Sequence, residues 1–312
     1  MFIVKYSGGL GNQMYQYALQ SLLRELYPNT EIKADITHYS MIEEHNGFEI
    51  ESVFDTTLEY ATNKEIKKIS CGFVPGNNFN RLPFKIRNSV AHRWQFVYKD
   101  FKTLFSRKKR QRTITDRGYG GVIFHLNTEF DWYFRGMWQD ISYFRGYEDI
   151  VRGSFVFREP HLKDTDYRLI EKIKSEKSVS IHVRRGDFIY DNSQFNICHK
   201  EYYIEAIKRM ESIIGTDVKY FIFSDEPEFM KREFEFLNNK EVVIHDKTQS
   251  NIDMIMMSLC SHNIISNSTF SFWGAFLGNQ TNRIVIAPRY CRINNIGKWE
   301  FSLPDAWIKL DV

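Results

Sequence analysis

Short apolar runs and longer stretches of helical spacing alternate through the second half of the chain. Strand candidates fall at 178–184, 219–223, 242–245, 263–266 and 284–287, interleaved with helical segments at 200–213, 227–237, 251–260 and 270–278. Strand and helix in strict alternation predict a parallel, doubly wound sheet, because each crossover helix returns the chain to the same sheet edge. The first half opens the same way, with a strand at 2–6, a glycine turn, a helix at 12–26 and a strand at 31–34. Beyond that the pattern loosens. Residues 36–60 mix polar and aromatic positions without a clean period, which suits a loop-rich, acceptor-binding side. Near 160 the segment REPHLKDTD interrupts the pattern with Pro160 and charges, and it divides the chain into expected domains 1–160 and 161–312.

Two strand ends carry chemistry. SVSIHVRRGD at 178–187 closes a buried strand with His182, Arg184 and Arg185, then Gly186 and Asp187. Alternation along the strand puts His182 and Arg184 on one face and Arg185 on the other. Open α/β sheets hold ligands at the ends of such strands. A fixed guanidinium there can bind a phosphate bidentately, which makes Arg184 the leading catalytic candidate. In the second segment, residues 253–278, an apolar helix and a short strand are followed by Asn267, Ser268 and Thr269 at the start of the next helix. Hydroxyls and free N–H groups at a helix start suit an anion. Ser250 with Asp253, and Asp225 with Glu228 around Pro227, have the spacing of capping boxes. Asp253 by itself reads as an ordinary acid of a helix's first turn.

Composition removes other classes. No apolar run approaches the roughly 20 residues a spanning helix needs, so a soluble, cytoplasmic protein is expected. Cys71, Cys198, Cys260 and Cys291 are scattered without a CxxC pair, the pattern of reduced thiols rather than a disulfide frame or zinc site. Metal-ligand spacings are absent as well, and no catalytic metal is expected. Net charge is +3, yet residues 81–112 hold eleven Lys or Arg against one acid, Asp100, with Trp94, Phe96, Tyr98 and Phe101 interleaved. Such a charge run reads as a solvated helix and loop or, since basic and aromatic side chains together suit it, as peripheral contact with an anionic membrane, and no motif accompanies it that would recognise nucleic acid. Gly8, Gly9 and Gly11 follow the first strand, but a dinucleotide fingerprint would need its third glycine at 14, where Met14 stands. That weakens a dehydrogenase reading.

GGLGNQMYQYA at 8–18, HVRRGD at 182–187, FIFSDEPEF at 221–229 and SNSTFSFWGA at 266–275 together resemble the α-1,2-fucosyltransferases of glycosyltransferase family 11. The resemblance implies a GT-B fold of two Rossmann-like domains facing a cleft, with GDP-β-L-fucose as donor and a galactose-type acceptor. It implies no cofactor, and a bacterial enzyme, since animal members carry an N-terminal membrane anchor. Carried over residue by residue, it places Gly11 and Asn12 near the donor, and His182 and Asp253 at the nucleoside. Asp225 falls near the ribose, Ser268 and Thr269 at the β-phosphate, and Phe270 over the nucleotide. Arg184 and Asp187 become the catalytic pair. Asp187 remains open between a general base and a partner orienting the arginines, the neighbouring guanidinium groups favouring the second by depressing its basicity. A non-catalytic sugar-binding protein would explain the 16% aromatic content but not Arg184 beside a Ser268 and Thr269 loop.

Overall fold

The computed structural model describes residues 1–41, 46–70, 111–116, 122–190, 195, 197–246 and 249–312. The chain forms two compact units, Met1–Arg158 and Glu159–Val312. Each is a parallel α/β sheet, as the GT-B expectation requires of each half.

In the N-terminal unit, strands β1 (Phe2–Lys5), β2 (Ile32–Asp35), β3 (Gln111–Thr115) and β4 (Asp131–Arg135) lie in the order β2-β1-β4-β3, every pair parallel. Strands β3 and β4 fall where no clean period was legible. The burial of β3 alternates poorly, with Arg112 and Thr113 exposed on an edge strand. Helix α1 (Leu10–Leu26) buries Met14, Ala18 and Leu22, spaced four apart along one face. It starts two residues before the expected position. Gly9 is the extended residue that enters it, and Gly8 takes φ +79°, where a Cβ would lie 2.5 Å from the Asn12 amide nitrogen. Short helices α2 (Ile50–Val53), α3 (Asn63–Ile69) and α4 (Glu148–Gly153) complete the unit. The Thr62–Glu65 capping box starts α3.

The C-terminal unit contains β5 (Ser178–Val183), β6 (Lys219–Ser224), β7 (Lys240–Val242), β8 (His262–Ile264), β9 (Val285–Pro288) and β12 (Ile308–Leu310) in one parallel sheet, order β12-β9-β8-β5-β6-β7. Its helices are α5 (Asp164–Ser175), α6 (Gly186–Tyr190), α7 (Lys200–Ile214), α8 (Pro227–Glu233), α9 (Ser250–Leu259) and α10 (Thr269–Phe276). Val179, Ile181 and Val183 point to a core shared with Tyr202, Ala206 and Met210 of α7. On the opposite side Phe221 and Phe223 of β6 pack with Ile170 and Ile173 of α5 and Ile252 and Met256 of α9. Burial on both faces is why these strands read as continuous apolar runs. From β5 the chain adds β6 and β7 on one side, then crosses to add β8 and β9 on the other. The topological switch point therefore lies between β5 and β8, at their carboxyl ends.

Several expectations are corrected. The segment after Pro160 is not a bare linker, since Asp164 and Asp166 open helix α5. The C-terminal residues add β12 to the sheet of their own unit, after a hairpin of β10 (Tyr290–Asn294) and β11 (Gly297–Glu300). Neither predicted capping box forms. Helix α9 is entered through Gln249 and α8 through Glu226, both without a side-chain cap bond. Among the described residues no helix is long and apolar enough to cross a membrane. The basic segment 81–112 expected to meet a membrane lies outside them except for its last two residues.

Candidate active site

Strand β5 ends at Val183, so the side-chain alternation that paired His182 with Arg184 stops short of Arg184. His182 is buried inside the sheet, whereas Arg184 sits in the loop beyond it. The imidazole meets a hydroxyl pair across the switch point. Its Nδ1 lies 3.2 Å from Ser266 Oγ and 3.0 Å from Ser271 Oγ, and its ring centroid is 5.5 Å from that of Phe270. Burial first, and then the charge of Arg184, hold this histidine down to about 3, so it is neutral at physiological pH. Ser271 also accepts the Ser266 N–H at 3.1 Å, closing a turn that presents Ser268 at the entry to α10.

Arg184 Nη1 lies 3.3 Å from Asp225 Oδ2, with the guanidinium carbon 5.9 Å from the Phe188 ring centroid. Asp225 follows β6, the strand paired in register with β5. Its other oxygen accepts the Arg185 backbone N–H at 3.0 Å, so the carboxylate expected to cap α8 ties the two strand ends together instead. Gly186 makes that approach possible, since a Cβ there would stand 2.6 Å from Asp225 Oδ2. Arg185 turns away, donating from Nε to Glu226 at 2.9 Å and lying 3.7 Å over the Phe229 ring. Each arginine is thus paired with an acid that follows β6, Arg184 with Asp225 and Arg185 with Glu226. The side chain of Asp187 lies outside the described residues.

The polar loop after β8 divides its labour. Asn267 donates to the Phe195 and Cys291 carbonyls at 2.9 and 2.8 Å, so it braces the loop. Ser268 is buried, makes no cap bond to its helix, and precedes half-buried Thr269 and Phe270. His182, Arg184, Asp225, Ser268, Thr269 and Phe270 are thus carried by the adjacent ends of β5, β6 and β8. Asp253 comes from the first turn of α9 at the same end of the sheet, and its carboxylate is engaged by His245 at 2.5 Å. His245 in turn contacts Asp166 at 3.1 Å. Sequence reading missed the parts played by Ser271, His245 and Asp166. For Ser271 the available signal was a second hydroxyl five positions after Ser266. For the others there was none short of the fold.

Gly11 and Asn12 belong to the N-terminal unit, in the first turn of α1. Asn12 Oδ1 accepts from Gln139 Nε2 at 2.7 Å, and the turn is pinned by Tyr39 and Gln13, both donating to the Gly8 carbonyl. Among the described residues no group of three or more His, Cys, Asp or Glu side chains could hold a metal ion. The cysteines among them are free, and burial raises the thiols of Cys198 and Cys260 to about 12.

A guanidinium past the end of β5 and a hydroxyl-bearing helix start after β8 stand at the carboxyl end of the same parallel sheet, and both are groups able to hold an anion. The profile described as "Glycosyl transferase family 11" matches residues 74–306, and the chain belongs to that family of glycosyltransferases. It is 29% identical to the O-antigen biosynthesis glycosyltransferase WbnK of Escherichia coli, over 97% of this chain and 98% of that protein. It is 26% identical to an alpha-1,2-colitosyltransferase of Escherichia coli, over 99% and 98%. Among solved structures it is similar to NodZ alpha-1,6-fucosyltransferase soaked with GDP-fucose, at 14% identity and TM-score 0.49, over 89% of this chain and 92% of that one.

Proposed function

We propose that this glycosyltransferase moves L-fucose from GDP-β-L-fucose, with inversion, to the 2-hydroxyl of a galactose-type acceptor in the assembly of a bacterial cell-surface glycan. The observation that carries the reading is Arg184, held by Asp225 just past the end of β5, the strand whose His182 contacts Ser266 and Ser271 of the loop after β8. As the acceptor hydroxyl attacks C1 and GDP departs, charge builds on the β-phosphate, and a preorganised guanidinium stabilises it. Ser268 and Thr269 bind the same phosphate, Phe270 covers the nucleotide, and His182 supports the nucleoside side as a neutral ring. Asp253 accepts from guanine, Asp225 orients Arg184, and Gly11 with Asn12 serve the donor from the N-terminal unit, which also takes the acceptor. Asp187 orients an arginine or acts as base, and Asp187→Asn separates the roles: loss of GDP affinity with turnover indicates the first, loss of turnover alone the second. The enzyme acts at the cytoplasmic side, with no resident cofactor or metal.

The 2-linkage draws its support from the alpha-1,2-colitosyltransferase relative. That same relative favours a second reading, in which the transferred sugar is colitosyl. Product-linkage analysis with GDP-fucose and a colitosyl donor against a panel of galactosides decides between them. An α-1,2-fucosylated product is expected. Exclusive use of the colitosyl donor would replace the first reading with the second, and a product linked elsewhere would remove both.

A further inference from the structure

A histidine held between two carboxylates stands at the edge of the candidate site. His245 lies in the segment after β7, and its two ring nitrogens contact different helices. Nε2 is 3.1 Å from Asp166 Oδ1 on α5, and Nδ1 is 2.5 Å from Asp253 Oδ1 on α9. Exposure rises along the row, from 4% for the Asp166 side chain to 7% for His245 and 20% for Asp253. Asp166 is itself fixed, because Oδ2 accepts the Lys163 backbone N–H at 2.8 Å and Oδ1 the Thr165 hydroxyl at 3.4 Å. The buried end is rigid and the open end is Asp253, whose Oδ2 makes no hydrogen bond among the described residues.

We infer that His245 is a positioning residue for nucleobase selection: it bridges Asp166 and Asp253 and so fixes the carboxylate that reads guanine. This rests on the guanine-reading role of Asp253 proposed above. A carboxylate can accept from N1–H and the 2-amino group together only if its plane is held edge-on to the base. One torsion of a helix-borne aspartate leaves that plane loose. A ring bonded to Oδ1 and anchored behind by Asp166 removes the freedom, while the remaining lone pairs stay available. Both ring nitrogens face carboxylate oxygens, so the arrangement is complete when the ring carries two protons and donates both ways. Burial opposes that charge, but the two aspartates outweigh it and raise the histidine above its ordinary range. Asp166 on α5 and Asp253 on α9 are the charged groups facing the ring.

The test is selectivity between GDP and IDP, which lacks the 2-amino group, measured by titration calorimetry on the intact enzyme. Wild type is expected to prefer GDP by about tenfold or more, the value of one charged hydrogen bond. His245→Asn keeps a donor where Nδ1 stood and should retain most of the preference. His245→Gln keeps one near Nε2 and should bring it close to unity. A residue that merely supports the fold would lower both variants' melting temperatures without separating their selectivities. Asp166→Asn, a smaller change, is expected to lower the preference about threefold. In wild type the preference should also decline as pH rises and the ring loses its second proton. Equal GDP and IDP affinity in wild type would overturn the role of Asp253 itself. A tenfold wild-type preference kept unchanged in His245→Gln and Asp166→Asn, and across pH, would overturn the inference and leave the fucosyl-transfer reading intact.

Discussion

Buried polar groups are satisfied differently along helix α1 of the N-terminal unit and around the strand ends of the C-terminal unit. In the N-terminal unit the fully buried Gln13 and Gln16 of α1 bond to backbone. Gln13 donates to the Gly8 and Gly47 carbonyls and accepts the Glu49 N–H. Gln16 accepts the Ser7 N–H at 3.0 Å and donates to the Gly136 carbonyl at 3.0 Å. In the C-terminal unit several buried polar groups bond to other side chains: His182 with Ser266 and Ser271, Asn263 with Ser180, His245 with two aspartates. Amide side chains bonded to backbone cannot titrate, and they hold loops. Titratable and hydroxyl groups bonded to one another can exchange a partner for a ligand, which is what a site requires. Polar burial along α1 therefore builds scaffold, whereas the side-chain pairs of the C-terminal unit are of the kind that can build chemistry.

The sharpest way to break that comparison is Arg184→Lys. Lysine keeps the charge but not the planar fork that binds two oxygens at once, and it cannot hold Asp225 and a phosphate in the same geometry. Turnover of the donor is expected to fall about 100-fold, the usual cost of removing one preorganised donor from a developing oxyanion. Melting temperature should hold, because the Arg184–Asp225 contact lies at a partly exposed strand end. Wild-type turnover in this variant would show that Arg184 is not the leaving-group clamp, and the C-terminal edge would lose its claim to be the reactive one.

What could be read from the sequence follows the same division. Strands β5, β6 and β9 were legible because they are buried on both faces and rich in Val, Ile and Phe, whereas β7, half-buried throughout, begins two residues before its expected position. Strands β3 and β4 were not, because β3 is an exposed edge with one buried residue in five. Arg184 and the Ser268–Phe270 loop could be found from position alone. The row Asp166–His245–Asp253 could not, since its members lie 79 and 8 residues apart and meet only when α5 and α9 pack on the same side of β6. The capping alternative for Asp225 failed for a related reason. Capping is a local role that sequence spacing suggests, whereas its partners lie 40 residues away on the neighbouring strand.

A smaller effect should appear in acid. His182 is held neutral to about pH 3, while an unfolded chain's histidine takes its proton near 6.5. Above that value both states are neutral and the contribution of burial is fully present. As pH falls below it, only the unfolded state gains the proton, so stability is lost through the window down to the folded value. At pH 5 the loss is about 2 kcal/mol. Urea unfolding of wild type and His182→Gln at pH 7 and 5 isolates it, since the variant should lack this part of the acid loss. Equal losses in both would mean that the histidine is not held neutral. Smaller still, Gln16→Leu leaves the Ser7 N–H and Gly136 carbonyl without their partner and should cost about 1.5 kcal/mol. The cost should be the same at pH 7 and 5, because nothing in that arrangement titrates, and a strongly pH-dependent cost would erase the distinction between the units.

The smallest expected effect is none at all, and it tests the assignment of charge in the C-terminal unit. Departure of GDP needs compensation for the charge growing on its phosphate, which a divalent cation or fixed donors can supply. Arg184 is held in place by Asp225 before any ligand arrives, so its electrostatic contribution requires no reorganisation. Ser268 and Thr269 add hydroxyls at the start of α10, where backbone N–H groups also face outward. If these groups suffice, initial rates of transfer in excess EDTA should equal those with added Mg²⁺ or Mn²⁺ at every donor concentration. A rate that collapses in EDTA and returns with either cation would move the leaving-group role from the guanidinium to a metal, and Arg184→Lys would then be read as a loss of binding geometry alone.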